Sequence, residues 1–408
     1  MSSTATADGL AGGDGAAPMR RPASTVAAIL IGVTAVLVFT VQPGYLQGLV
    51  DLDRISGAQA GYIAAAEMSG YAITMILLSF LARRLPWRPI LMACALLQAG
   101  GNLACVFRTG VGWLCAARFL AGLGAGGLIS LAFSAIAMSR EPDRNFGFMG
   151  MWTLIYGAVG LAALPSLLQG VGLRGLHLII AFVSVASLAL IQLMPAGLRE
   201  RTDVASGADL SRAGGALAVL SCFVFFVGCG MLWAFLSLIG GKLGIASQAV
   251  ANALGLSQFS AIAGALTAGL IGSRFGRFKP LTLALVVCTV SSAALNVLGA
   301  GAASQFAALV SLFNFAWNFT QPVYLSTAAS FDRRGRLVSQ MAASQACGLA
   351  VGPFVGATLG GDLHVRLLVW VVATAFLAAV GLIASPFSEA RRRDIFTNAA
   401  ARNRASPV

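Results

Sequence analysis

Two side chains carry charge where the rest of the sequence excludes it. Glu67 stands near the middle of "GYIAAAEMSGYAITMILLSF", residues 61–80, and Arg118 opens "RFLAGLGAGG", residues 118–127. Of 14 acidic and 27 basic residues, these two alone fall well inside the long apolar runs, away from their ends. In lipid, a charge at the centre of a helix costs about 2.5–3.5 kcal/mol on insertion scales, so each needs a partner, a wet cavity or neutralisation. Counted from the outer ends of their runs, Glu67 lies roughly ten residues deep and Arg118 roughly seven, which places them about 5 Å apart in depth at helical rise. A pair between neighbouring helices is within reach. Burial favours a neutral acid, whereas a permanently charged guanidinium favours a carboxylate. A glutamate held between those influences can bind a proton from one side and release it to the other. Glu67 is thus the candidate proton-coupling site, with Arg118 as its charge partner or as an anchor for an anionic solute. The competing reading is a static ion pair, or a Glu67 bonded to a neighbour such as Tyr71.

A second set of side chains suits recognition. Asn314, Trp317, Asn318 and Gln321 recur at i, i+3, i+4 and i+7, one helix face combining amides with an indole. Gln42 and Tyr45 flank Pro43, and Trp152, Tyr156, Trp233, Gln340 and Ser344 lie in other apolar runs. Amides with aromatics fit a small organic molecule with a flat or apolar body and a few hydrogen-bonding groups. Taken singly, each serves equally well as glue between helices. His177 and His364 open corresponding runs and are expected near the outer surface, at the interface with the headgroups. The seven Cys form no CxxC pair and no Cys/His cluster, so no metal or other cofactor is expected. No GxxxxGK[ST], HExxH or GxSxG occurs, which argues against direct nucleotide drive and against an enzyme.

The elements that must position these residues are membrane spans. The chain has 408 residues, 58% hydrophobic and only 10% charged, far from the balance of a soluble domain. About twelve runs reach the roughly 20 residues that a bilayer crossing needs. Six fall near 24–49, 57–82, 89–107, 111–138, 146–169 and 175–195, and six near 214–240, 246–273, 279–300, 303–328, 337–361 and 364–386. The expected organisation is a disordered tail over 1–23, a six-helix bundle over 24–195, a charged linker over 196–213, a second bundle over 214–386, and a tail over 387–408. Net charge is +13, but 21 of the 27 basic residues fall on the side of the two termini and five on the opposite side. That asymmetry orients both termini to the cytoplasm and accounts for the basic charge without nucleic acid. The loop arginines are also expected to meet anionic membrane lipid.

Shifted by about 190 residues, the chain lies on itself. "SFLARRLPWRP" (79–89) falls over "GLIGSRFGRFKP" (269–280), "GAQAGY" (57–62) over "ASQAVA" (246–251), and "REPDRNFG" (140–147) over "FDRRGRLV" (331–338). Parallel repeats of this kind build secondary transporters with a site near the midplane between two rocking bundles. "GLIGSRFGR" resembles the loop signature of the major facilitator superfamily. "RFLAGLGAGG", with Arg118, Gly122, Gly124 and Gly126, resembles its fourth-helix signature, and "GLAVGPFVG" (348–356) its Gly-Pro helix motif. The first-half loop departs from the pattern, with Arg83 where the family usually has Asp and Pro86 where it usually has Gly, and the Gly-Pro motif lies in helix 11 instead of helix 5.

The resemblance implies an all-α integral membrane protein of twelve transmembrane helices in two six-helix pseudo-symmetric bundles. It implies a monomer in the inner membrane of a bacterium that moves a small organic solute by alternating access. Arg83, Arg84, Arg274, Gly276 and Arg277 in the loops, and Gly352 with Pro353 in helix 11, are the implied gating positions. Proton-coupled uptake of an organic acid or similar metabolite is the leading expectation. Proton-driven efflux of a drug or metabolite is the alternative, and a non-transporting sensor or assembly factor the rival from another class.

Overall fold

The computed structural model describes residues 22–81, 85–107, 109–195, 211–271, 274–331, 336–360 and 365–405. Among them there is no strand. The order is α1 (Pro22–Ala35), α2 (Leu37–Thr40), α3 (Gln42–Asp53), α4 (Gly57–Leu81), α5 (Trp87–Cys105), α6 (Val111–Ala137), α7 (Pro142–Ile191), α8 (Arg212–Lys242), α9 (Ser247–Ile271), α10 (Phe278–Ala294), α11 (Ala303–Phe331), α12 (Arg336–Gly360) and α13 (Val365–Ala405). Eight of these helices are long and apolar enough to cross a membrane. The α5 and α11 helices fall short of that hydropathy because they carry the amides Gln98, Asn102, Asn314, Asn318 and Gln321.

Two elements differ from the expectation of one helix per run. The first run, expected as one helix over 24–49, breaks at Val36 and Val41. Pro43 has no N–H to offer the carbonyl four residues back, Phe39, and its ring crowds that carbonyl. At Val41 the N–H turns to Val38 O at 3.2 Å, a tighter turn that also releases Leu37 O. The fifth and sixth runs, expected as separate helices, form the continuous α7, in which Gly172 alone leaves helical geometry, at φ 64° and ψ −175°. That conformation belongs essentially to glycine. A straight helix of 50 residues would be about 75 Å long, more than twice a bilayer core. Instead α7 doubles back: Met149 from its first arm and Ile191 from its second share one buried cluster with Trp87, Leu91 and Ile136. Counted with α1–α3 as one broken rod and α7 as two arms, the helices make twelve rods, six in each half.

The α13 helix continues to Ala405, through residues expected to form a tail after 386. Glu389 on it accepts from Ser211 N and Ser211 Oγ, both at 2.8 Å, while Ser211 Oγ caps α8 through Gly214 N. The start and finish of the second half are thereby tied together on the side of the chain termini, here the terminal side; the opposite side is the distal side.

Contacts repeat between the halves. In the first, α4 packs on α6 backbone to backbone: a Cβ at Gly70 would strike Phe119 O, one at Gly122 would strike Glu67 O, and one at Gly126 would strike Tyr71 O. In the second, α9 packs on α11 in the same way, with Gly264 against Phe315 O. The halves themselves meet through α4 on α12 and, correspondingly, α9 on the first arm of α7. Gly61 sits against Pro353 O and Ala357, Gly255 against Ala158 O, and Met68 and Ala72 pack on Ala346 and Ala350.

Small residues let helices without a hydrophobic drive between them gain contact by close approach. Gly122→Ala is therefore expected to force α4 from α6 and to cost about 1–3 kcal/mol. Gly100→Ala, on a face of α5 with nothing within 4 Å of a new Cβ, is expected to be neutral or mildly stabilising. Thermal unfolding of the two variants in detergent is the check, and equal midpoints would contradict the packing account.

Candidate functional site

Between α4 and α6 the two buried charges meet. Arg118 is fully buried and Glu67 is 5% exposed. Arg118 Nη2 donates to Glu67 Oε1 and Nε to Glu67 Oε2 at 3.2 Å, a two-pronged pairing of planar groups. The third nitrogen, Nη1, donates to Asn102 Oδ1 on α5 at 2.7 Å. One face of the guanidinium lies over the Tyr45 ring on α3, 5.4 Å from its centroid, so the ring quadrupole adds to the attraction. Tyr45 is fixed in turn: its hydroxyl and His177 Nε2 lie 3.0 Å apart, and the rings meet edge to face. Behind Asn102, its Nδ2 donates to Gln98 O at 2.8 Å, and Gln98 Nε2 donates to Thr34 O at 3.0 Å. Four rods thus converge on one cation.

The second half has the uncharged counterpart. Phe119 O and Phe315 O are the carbonyls under the two glycine contacts, and the residues just before them are Arg118 and Asn314. Where Arg118 reaches α4 through Glu67, Asn314 Nδ2 reaches α9 through Ser257 Oγ at 2.6 Å. The two helix pairs share a backbone packing and differ in charge.

A third set of bonds holds the broken first rod. Tyr156 OH donates to Leu37 O at 3.0 Å, and Trp233 Nε1 donates to Phe39 O at 3.0 Å. These are the carbonyls that the tight turn and Pro43 release, so the break is satisfied by side chains and not left bare. The tryptophan bond also joins the halves, since Trp233 lies on α8. Its ring meets Trp317 of α11 edge to face at 6.0 Å, and Trp317 packs on Phe313 at 5.7 Å.

The remaining expected residues separate. Gln42 is 1% exposed, and neither its Oε1 nor its Nε2 has a hydrogen-bond partner. Asn318 is half-buried and donates to Asn314 O at 3.0 Å; Ser344 is buried and donates to Met341 O at 2.8 Å. Trp152, Gln321 and Gln340 are exposed and stand apart from the buried clusters. Arg274, Gly276 at φ 69° and Arg277 form the turn between α9 and α10. Gly352 packs on Val227 O and Met231 N of α8, and Pro353 O faces Gly61. Arg83, Arg84 and His364 lie outside the described residues. A cleft of about 170 Å³ opens on the distal side between α3, α7, α8 and α9, lined in part by Gln47, Asp51, Gln169 and Ser237, and it contains none of the expected recognition residues.

His177, expected at the outer surface, is fully buried. Because α7 turns on the single residue Gly172, its second arm re-enters the bundle at once and carries His177 beneath Tyr45. Asn102 was not among the expected site residues, although Gln98 and Asn102, four apart in an otherwise apolar helix, mark a polar face.

Two bundles of repeated helix contacts, with a charged site inside one and polar aromatic contacts between them, define a membrane carrier. The chain belongs to the Major Facilitator Superfamily, whose family model matches residues 23–331. Its fold is similar to that of a point mutant of the nucleoside transporter NupG, solved by crystallography, with a TM-score of 0.70 over 89% of this chain and 97% of that one, at 12% sequence identity. No curated protein sequence matches the chain. The protein is an integral membrane transporter of a small solute, not an enzyme.

The ion pair has an asymmetric energetic signature. A carboxylate stranded by Arg118→Met can take up a proton, whereas a guanidinium stranded by Glu67→Leu stays charged. Glu67→Leu is expected to cost about 3–5 kcal/mol, Arg118→Met clearly less, and the double variant Glu67→Leu with Arg118→Met to recover most of the loss. Thermal unfolding of the three proteins measures the order. Equal losses in the two single variants would contradict it.

Proposed function

We propose that the protein is a proton-coupled secondary transporter that takes up a small organic solute by alternating access, with Glu67 as the proton site and Arg118 as its fixed charge partner. The observation that carries this reading is the placement of Glu67 on α4. One face of that helix holds Arg118, and an adjacent face forms the contact with α12 of the other half, through Met68 and Ala72 on Ala346 and Ala350.

With Glu67 ionised, the two-pronged pairing holds α4 against α6. A proton on Glu67 removes the charge that the guanidinium holds and loosens α4 from α6, and α4 then re-seats on α12. Binding the proton on one side and releasing it on the other converts the gradient into a change in how the halves meet, which is the differential interaction any driven conformational change requires. Asn102 and the Tyr45 ring keep Arg118 in place while its partner is neutral.

The site sits in one half only, the second having Asn314 and Ser257 in the matching place, so one proton site per cycle is the simplest stoichiometry. Inner-membrane residence with both termini in the cytoplasm is supported by the excess of basic residues on the terminal side. A monomer is supported by the completeness of the pair of bundles within one chain.

Purified protein in liposomes holding a pH-sensitive dye, challenged with aromatic acids, other organic acids, sugars and cationic drugs, identifies a working solute. With that solute, Glu67→Gln is expected to abolish accumulation driven by a pH gradient while sparing counterflow. Intact gradient-driven accumulation in Glu67→Gln would sink the coupling role, and equal loss in both assays would make the pair structural.

A further inference from the structure

We infer that the transported solute is electroneutral and planar, with a hydrogen-bond donor and acceptor side by side on one edge, as in a carboxamide or a lactam ring. This rests on the proton-coupled reading above and specifies the solute for the same machinery.

Charge supplies the first part of the argument. A cation is the strongest offset for the desolvation of an anionic solute near the midplane. Arg118 is the one cation among the described residues that lies well inside an apolar run, and while Glu67 is ionised each of its three nitrogens already holds one bond, to Glu67 or Asn102. It is fully buried inside the first half, roofed by Tyr45 and walled by the backbone contact of α4 with α6. Glu67 keeps a small exposed edge whereas Arg118 keeps none, so a carboxylate solute does not meet the guanidinium in this conformation. In the second half, the position equivalent to Arg118 is Asn314, which is uncharged and bonded to Ser257. A cationic solute near the midplane is equally unprovided for, since Glu67, the one carboxylate among the described residues well inside an apolar run, turns both oxygens to Arg118, and Asp51 lines only the distal cleft.

Gln42 supplies the second part. Its amide is 1% exposed and makes no hydrogen bond at either end. Leaving a buried polar group unmet is costly, and among the described residues Gln42 is the one side-chain amide with both ends buried and unbonded. Gln42 stands three residues beyond Phe39, whose carbonyl receives Trp233 across the junction of the halves. Gln42 thus lies about one helical turn from the residue that Trp233 holds, and the Trp233 ring meets that of Trp317. A primary amide presents one donor and one acceptor in a plane, and its best complement is another such edge. The two indoles offer apolar faces for a flat body.

The consequence is electrical. A proton carried with a neutral solute moves one positive charge per cycle, whereas a proton carried with a monoanion moves none. Proteoliposomes of the full chain on a solid-supported membrane electrode are challenged with matched probes, uracil against orotate and nicotinamide against nicotinate, each pair differing in whether it carries a carboxylate. Protein-free liposomes and a melting curve of the reconstituted protein serve as controls.

The expected result is an inward positive current with lumenal acidification for an uncharged probe and neither for its anionic mate. Gln42→Leu should reduce that current roughly tenfold, the scale of one lost hydrogen bond to a ligand, while Gln42→Asn retains part of it. Acidification without current, elicited by orotate or nicotinate, would overturn the neutral class and leave proton coupling standing. Flux of an uncharged radiolabelled probe with neither current nor acidification would overturn proton coupling and leave the solute class standing. Folded protein that responds to no uncharged probe, or an unchanged current in Gln42→Leu, would overturn the inference.

Discussion

A guanidinium cannot give up its charge, and in this fold one has been placed where water does not reach. Much of the first half follows from keeping Arg118 satisfied. Glu67 meets two of its nitrogens, Asn102 a third, and the Tyr45 ring covers its face. For those groups to converge, α4 must lie on α6 at backbone distance, which is why glycine stands at 70, 122 and 126. It also requires α7 to turn at once at Gly172, so that His177 comes back under Tyr45 and fixes its ring. The packing and the electrostatics are one constraint: a bulkier residue at Gly122 would displace Glu67 itself.

The second half repeats the helix contacts without the charge. Asn314 in the place of Arg118, bonded to Ser257, shows the same geometry in neutral form. An internal duplication can keep its packing while one copy specialises for an ion and the other for a neutral surface. The break in the first rod links the two. Pro43 frees the Phe39 carbonyl, and Trp233 from the other half takes it, so a local backbone defect becomes a hydrogen bond across the junction.

Much of this was legible in the sequence, and the reasons for what was not are physical. The apolar runs and the two charges within them are one-dimensional signals, because lipid penalises any unpaired charge wherever it stands in the fold. The similar depths of Glu67 and Arg118 followed from helical rise alone. The burial of His177 did not follow, because a histidine near the start of an apolar run sits at the surface if a loop precedes it, and here one glycine replaces the loop. Pro43 marked a break, but the donors that satisfy it, Tyr156 and Trp233, stand 119 and 194 residues from the carbonyls they serve. Among the amides, spacing could not separate those used within the fold, such as Asn314, from Gln42, which the fold leaves unmet.

The central claim is that the charge on Glu67 sets how the two halves meet. The direct measurement is the distance between the distal ends of α4 and α12, from spin labels at Ala58 and Thr358, across a pH titration in the wild-type protein and in Glu67→Gln. The account predicts two distance populations whose ratio changes with pH in the wild type and a single pH-independent distribution in Glu67→Gln. The same pH response in both proteins, or none in the wild type, would contradict it.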